Sequence, residues 1–330
     1  MSYAGVSRNY QLASKKLGLS YDNLGLIISD WDDTITARDT IGLIFRAIKK
    51  VKPDSEYDAD HFISIYKTQH DLFLDSKKDF LTRDTVTKEI EYQKQVKAVE
   101  LSSVNEMIKV KYVENIPKST FIHECDEVKI KSGFSKFFDG LLNQNSLIAS
   151  KSDISSLPFI VLSVNWTSCF IEEYFEKHFN IRDMLDKETF KIICNEFEFD
   201  DSTGLSTGNI LDYIKGINDE NFVLKDIRTG YDKLLVTEYI LNRYKMDKSN
   251  KRSVYLGDSA TDVLSMIKCG KGIIMRNGNA DATLKRLGFK VTDIADLTNN
   301  NDDDDDSEID FLLVDNWFDL HSILTSVSDK

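Results

Sequence analysis

Asp30 and Asp32, one residue apart in the segment L-I-I-S-D-W-D-D-T-I-T from Leu26 to Thr36, are the pair best placed to do chemistry. A short apolar run bounded by polar residues fits a buried parallel strand, which puts the acids at its C-terminal end. Ligands of open α/β sheets collect at that edge. Two carboxylates about 4 Å apart repel by roughly 4 kcal/mol at an effective dielectric near 20. The pair therefore calls for a cation unless one member is protonated. A hard divalent metal and phosphate chemistry follow; an acidic turn after a strand is the plainer alternative.

Other strand ends add to this pair. Pro158 to Ser163 reads as a second buried strand closing on a hydroxyl, able to bind a phosphoryl oxygen together with nearby amides. Ser253 to Gly257 is another strand, followed at once by Asp258 in G-D-S-A-T-D, which ends at Asp262 and opens a helix. The glycine permits a sharp turn, and Asp258 reaches the same edge as Asp30. Lys233, near the start of a helix spanning Tyr231 to Tyr244, supplies a fixed positive charge. Its competitor, Lys225, reads as an exposed surface lysine, and Arg228 as a solvated arginine. Strand-end acids, a hydroxyl and a lysine are what phosphoryl transfer needs.

The elements that must position these groups alternate. Further strands are read at Phe190–Cys194, Gly272–Met275 and Phe311–Val314, and a short helix over Ser7–Leu17. Strands alternating with helices predict an α/β fold with a mainly parallel sheet. Between Asp39 and about Ile116 the pattern is helical instead: Ile41, Ile44, Phe45 and Ile48 recur at helical spacing, as do Phe62, Ile65, Tyr66 and His70. This block reads as a separate unit inserted after the first strand.

With 330 residues, 41% hydrophobic and 11% aromatic, the chain can bury a large core. More than half of its formal charge of −13 comes from Asp302–Asp306, Glu308 and Asp310, in a low-complexity run that reads as a solvated insertion. No basic patch suggests nucleic acid. Met1 to Leu17 lacks the apolar stretch of a signal peptide, and no run is long enough for a membrane span. Cys125, Cys169, Cys194 and Cys269 are scattered without a C-x-x-C pair, so buried free thiols and a reducing, cytoplasmic setting are expected. His61, His70, His123, His178 and His321 form no close-spaced ligand pair.

Asp30-x-Asp32-x-Thr34, Ser163, Lys233 and Gly257-Asp258-Ser259-x-x-Asp262, in that order, resemble the four motifs of the haloacid dehalogenase superfamily of phosphatases. The resemblance implies a Rossmann-like core over residues 1–37 and 134–330, carrying the acidic insertion 299–310, and an inserted all-helical cap of the C1 type over 38–133. It implies Asp30 as nucleophile and Asp32 as general acid and base. It also implies Mg²⁺ held by Asp30, Asp258 and the main-chain carbonyl of Asp32, Asp262 orienting a metal-bound water or a neighbouring ligand, and Thr34, Ser163 and Lys233 on the phosphoryl oxygens. The implied reaction is hydrolysis of a small organic phosphomonoester through an aspartyl-phosphate. Transfer between sugar hydroxyls, as in phosphomutases, and a catalytically silent scaffold remain the alternatives.

One departure stands out: Asp33 occupies a position where relatives commonly carry glycine, which aspartate can fill because it tolerates left-handed backbone. The segment from Ile90 to Asn105, with S-D-W-D-D-T-I-T and G-D-S-A-T-D, resembles a fungal and plant group that includes the phosphatase half of plant thiamine monophosphate phosphatase. Glu91, Glu100 and Ser103 are candidate cap contacts, with an ordinary helix-surface role as the plainer reading of each.

Overall fold

Nine strands and the helices between them are seen in the computed structural model, which describes residues 8–149, 157–246, 252–298 and 307–326. The strands are β1 (Leu26–Ser29), β2 (Phe159–Leu162), β3 (Phe190–Ile193), β4 (Phe197–Phe199), β5 (Ser206–Ile210), β6 (Ser253–Gly257), β7 (Gly272–Met275), β8 (Val291–Asp293) and β9 (Phe311–Val314). Seven of them form one mainly parallel sheet in the order β3-β2-β1-β6-β7-β9-β8, and β4 and β5 form a separate antiparallel pair. The fold class is α/β, as expected. The acidic run Asp302–Asp306 lies outside the described residues.

The register explains why the apolar runs are continuous rather than alternating. Leu26 pairs with Ser253 and Ser29 with Leu256, while Gly257 pairs with Ile274 and Met275 with Val314. Every residue of β1, β6, β7 and β9 is buried, the signature of parallel strands covered on both faces. Strand order reverses between β1 and β6, because the chain leaves β1 for β2 and β3 and returns to add β6 and its successors on the other side. The carboxyl ends at such a reversal form a crevice where ligands bind. Asp30 and Asp258 are the first residues beyond those two ends.

By its contacts the chain divides into two compact units. The first comprises Met1–Ala37, Ile130–Phe159 and Thr237–Lys330. Its core holds a ring cluster in which Trp317 meets Phe134 at 4.9 Å and Phe137 at 4.7 Å between centroids. The Trp317 indole is fully buried and spends its one donor, Nε1, on the carbonyl oxygen of Thr34 at 2.8 Å. A core side chain thus pins the loop that follows β1, as buried Trp N–H groups seek partners.

The second unit comprises Arg38–Lys129 and Ile160–Val236. The helices Ile41–Val51, Ala59–Ser76 and Val86–Lys109 account for the helical periodicity read from the sequence. The latter two start on side-chain caps: Asp58 accepts from the amide of His61 and Thr85 from that of Lys88. Glu89, wholly buried, is matched by Arg83 at 2.8 Å and by Gln93 at 2.9 Å.

Candidate active site

The turn after β1 is built to hold its acids still. The amides of Ile35 and Thr36 donate to the carbonyl of Trp31 at 2.9 and 3.0 Å, and the amide of Asp33 donates to the Thr36 hydroxyl at 3.1 Å. Trp31 is fully buried beneath this turn. Asp33 has φ +52°, the left-handed conformation that glycine adopts most readily, and its carbonyl accepts from the Lys131 ammonium. Asp33→Val should therefore lower stability by about 1–2 kcal/mol, because a β-branched side chain does not accept this backbone. Asp33→Gly should keep the turn. Urea unfolding midpoints of the two variants decide between them.

Asp30 follows directly, its amide donating to Leu256 of β6 at 2.9 Å. Asp30, Asp258 and Asp262 are all buried, and one carboxylate oxygen from each lies within 4.8 Å of the others. Thr34, also buried, donates its hydroxyl to Asp258 Oδ1 at 3.1 Å. At that separation each pair of carboxylates repels by roughly 3 kcal/mol at an effective dielectric near 20. Lys131 offsets part of this. Burial pushes its ammonium below the ordinary lysine range, while Asp258 and Asp33 pull the other way. A donor set of oxygens alone, with no thiol or imidazole among them, fits a hard divalent ion such as Mg²⁺.

Asp262 serves the loop more than the cluster. Its Oδ2 accepts from the amides of Asp258 and Ser259, at 3.2 and 3.1 Å, and from the Ser259 hydroxyl. Its Oδ1 accepts from the Tyr255 hydroxyl at 3.0 Å. Burial, with Asp262 and Asp30 nearby, drives Tyr255 well above the ordinary phenol range, so it stays neutral and donates. Gly257 is required here, since a Cβ would meet the Asp262 carboxyl carbon at 2.4 Å.

A second loop, not singled out by the sequence reading, clamps the first. Gly278 approaches so closely that a Cβ would lie 2.0 Å from the Asp258 carbonyl oxygen and 2.5 Å from its Oδ2. Ala280 donates its amide to that same carbonyl at 2.9 Å, and Asn279 accepts from the amide of Ala260. The signal was present as the Asn277-Gly278 dipeptide after β7, a turn marker. Gly278→Ala should lower stability by about 1–3 kcal/mol, as forced overpacking does. Urea unfolding midpoints of the variant and the parent measure this loss.

The other expected residues stand as follows. Asp32 is half-buried, and its carboxylate is outside the three-acid group. Ser163 and Lys233 belong to the second unit, and both are fully buried. Ser163 sits just past β2, its amide donating to Ile193 at 3.0 Å and its hydroxyl accepting from the amide of Asn165 at 3.0 Å. Lys233 lies in the first turn of the helix Gly230–Arg243. Its neighbour Asp232 braces that turn by accepting from the amides of Arg228 and Thr229 and pairing with Lys97 at 2.9 Å. Lys225 is exposed, as expected. Arg228 is not: its side chain is only 4% exposed, which corrects the solvated reading. Glu91 is exposed, whereas Glu100 and Ser103 line a cavity within the second unit. The four cysteines are buried free thiols. No helix among the described residues is long and apolar enough to cross a membrane.

No protein-family profile matches the chain. It is similar to a CTO1 family protein of Schizosaccharomyces pombe, 24% identical over 257 residues that make up 76% of this chain and 82% of the relative. It is also similar to Cold tolerance protein 1 of Saccharomyces cerevisiae, 26% identical over 266 residues, 73% of this chain and 75% of that one. Among solved structures, a phospho-aspartyl intermediate analogue of phosphoserine phosphatase aligns over 80% of this chain and 91% of its own, with 16% identity and a TM-score of 0.44. A HAD family hydrolase from Salmonella enterica serovar Typhi aligns over 94% and 73%, with 15% identity and a TM-score of 0.48.

Proposed function

We propose that this chain is a Mg²⁺-dependent phosphatase of the haloacid dehalogenase type, hydrolysing a small organic phosphomonoester through an aspartyl-phosphate. The observation that carries the reading is the group of three buried carboxylates beyond β1 and β6, with Thr34 hydrogen-bonded to Asp258. In this reading the core is 1–37 with 134–330, and residues 38–133 act as the helical cap that selects the substrate.

Asp30 attacks phosphorus as an oxygen nucleophile, and the bond to the leaving oxygen breaks. Asp32 gives that oxygen its proton, then takes one from the water that cleaves the aspartyl-phosphate. The order of events restores both residues to their starting state and releases the alcohol and inorganic phosphate. Thr34, Ser163 and Lys233 hold the phosphoryl oxygens as charge redistributes. Asp262 fixes the Asp258 loop through its hydrogen bonds to the turn. Asp30, Asp258 and the Asp32 carbonyl would hold the Mg²⁺, which supplies charge neutralisation for the phosphoryl group.

Phosphate release with Mg²⁺ or with EDTA, across thiamine monophosphate, pyridoxal phosphate, phosphoserine and sugar phosphates, tests this. Mg²⁺-dependent release with one substrate dominant in kcat/KM is the expected result. Thiamine monophosphate as that substrate would agree with the resemblance in the Ile90–Asn105 segment. A folded protein that releases phosphate from none of them would overturn the reading in favour of a silent binding protein.

A further inference from the structure

The second unit contains a cavity of about 310 Å³ within its own residues, large enough for a small metabolite. Phe45, Phe62 and Trp166 form its apolar wall; the Phe45 ring lies 5.9 Å from that of Phe62 and 5.8 Å from that of Trp166. Arg228, Glu100, Tyr66, Ser103 and Asp39 supply its polar groups, Asp39 being exposed.

Arg228 is the informative one. Its Nε reaches Asp226 at 3.4 Å, while its Nη1 is buried with no hydrogen-bond partner. A guanidinium keeps its charge in any folded protein, although burial lowers its pKa from the ordinary value, against the pull of Asp226. A buried charged donor left unmet is costly, and native proteins rarely retain one without a use for it. Across the cavity, Glu100 accepts from the Tyr66 hydroxyl at 3.2 Å. Burial pushes the Glu100 carboxyl up to about 7 despite the lowering by Tyr66 and Arg228, so near neutrality it is partly protonated and offers a donor. An incoming anion thus meets the Arg228 cation and, at Glu100, a carboxyl able to lose its repulsion, while the other lining acid, Asp39, is exposed to solvent. A dianion would meet too little positive charge.

We propose that this cavity binds a small organic acid with a flat apolar body, its carboxylate on Arg228 Nη1 and its ring against Phe45, Phe62 and Trp166. Much of the cavity's lining belongs to the segment 38–133 that the proposed function makes the substrate-selecting cap, but its test reads binding alone, so it can fail without the phosphatase reading failing.

Calorimetric titration of the full chain with phenylacetate, its neutral counterpart 2-phenylethanol, and inorganic phosphate tests it. Phenylacetate should bind at least about tenfold more tightly than 2-phenylethanol, and Arg228→Met should erase that preference. Since Arg228 also holds Asp226, a second variant guards against misfolding. Ile63 lines the cavity but is 42% exposed, so Ile63→Trp should fill the space, keep the circular dichroism of the parent and lose phenylacetate. Equal affinity for the two aromatic probes, or phenylacetate binding that survives both variants, would overturn the proposal. So would a phosphate affinity that depends on Arg228 and exceeds that for phenylacetate.

Discussion

Asp30→Asn should fold like the parent and turn over at least about a thousandfold more slowly. The amide has the shape of the carboxylate, and the main-chain bond from residue 30 to Leu256 is untouched, so the strand end keeps its place. In the proposed mechanism what is lost is the nucleophilic oxygen, and removing a covalent nucleophile commonly costs several orders of magnitude in kcat. One negative charge also leaves the group formed with Asp258 and Asp262, so their mutual repulsion falls. Stability should hold or rise while activity vanishes, a combination that a merely structural acid would not show. Thermal melting together with steady-state phosphate release measures both. A purified variant with parental kcat would remove Asp30 from the chemistry.

Asp32→Asn should separate substrates by leaving group. Asp32 is half-buried and its carboxylate stands outside the three-acid group, which suits a group that moves protons. An alkoxide needs a proton as the phosphorus–oxygen bond breaks, whereas an activated aryl oxide leaves without one. General acid assistance is worth roughly 10²–10⁴-fold. Alkyl phosphates should therefore lose about a thousandfold and p-nitrophenyl phosphate no more than about tenfold in the first step. Equal losses on both substrates would assign Asp32 a role other than the acid.

Much of the sheet was legible in the sequence because parallel strands buried on both faces leave continuous apolar runs. Leu26–Ser29, Phe159–Leu162, Ser253–Gly257, Gly272–Met275 and Phe311–Val314 all declare themselves this way. The hairpin β4–β5 did not, since Ser206-Thr-Gly-Asn-Ile is polar and its Gly208 takes φ +94°. Ser206 is instead held by tertiary bonds, its amide donating to Ile116 and its hydroxyl to Val113. Strand β8, three residues long, exists through its register with β9, Val291 opposite Phe311. Local pattern carries no such information.

The site divides along the same line. Acids at strand ends are visible because strand and acid are neighbours in sequence. Gly278, Lys131 and Trp317 reach the same loops from distant segments, and only the fold brings them there. Arg228 was misread for a related reason. An arginine is solvated by default, and the bracing of its turn by Asp232 and its contact with Asp226 come from spatial rather than sequence arguments.

The nucleophilic role of Asp30 is tested most directly by trapping. Rapid quenching of the protein during turnover, followed by borohydride, reduces an acyl phosphate to homoserine, which peptide mass spectrometry locates. Homoserine at position 30, formed only with substrate and Mg²⁺ present, is the expected result. Turnover with Asp30 recovered unchanged, or with the reduced residue at position 32, would contradict it.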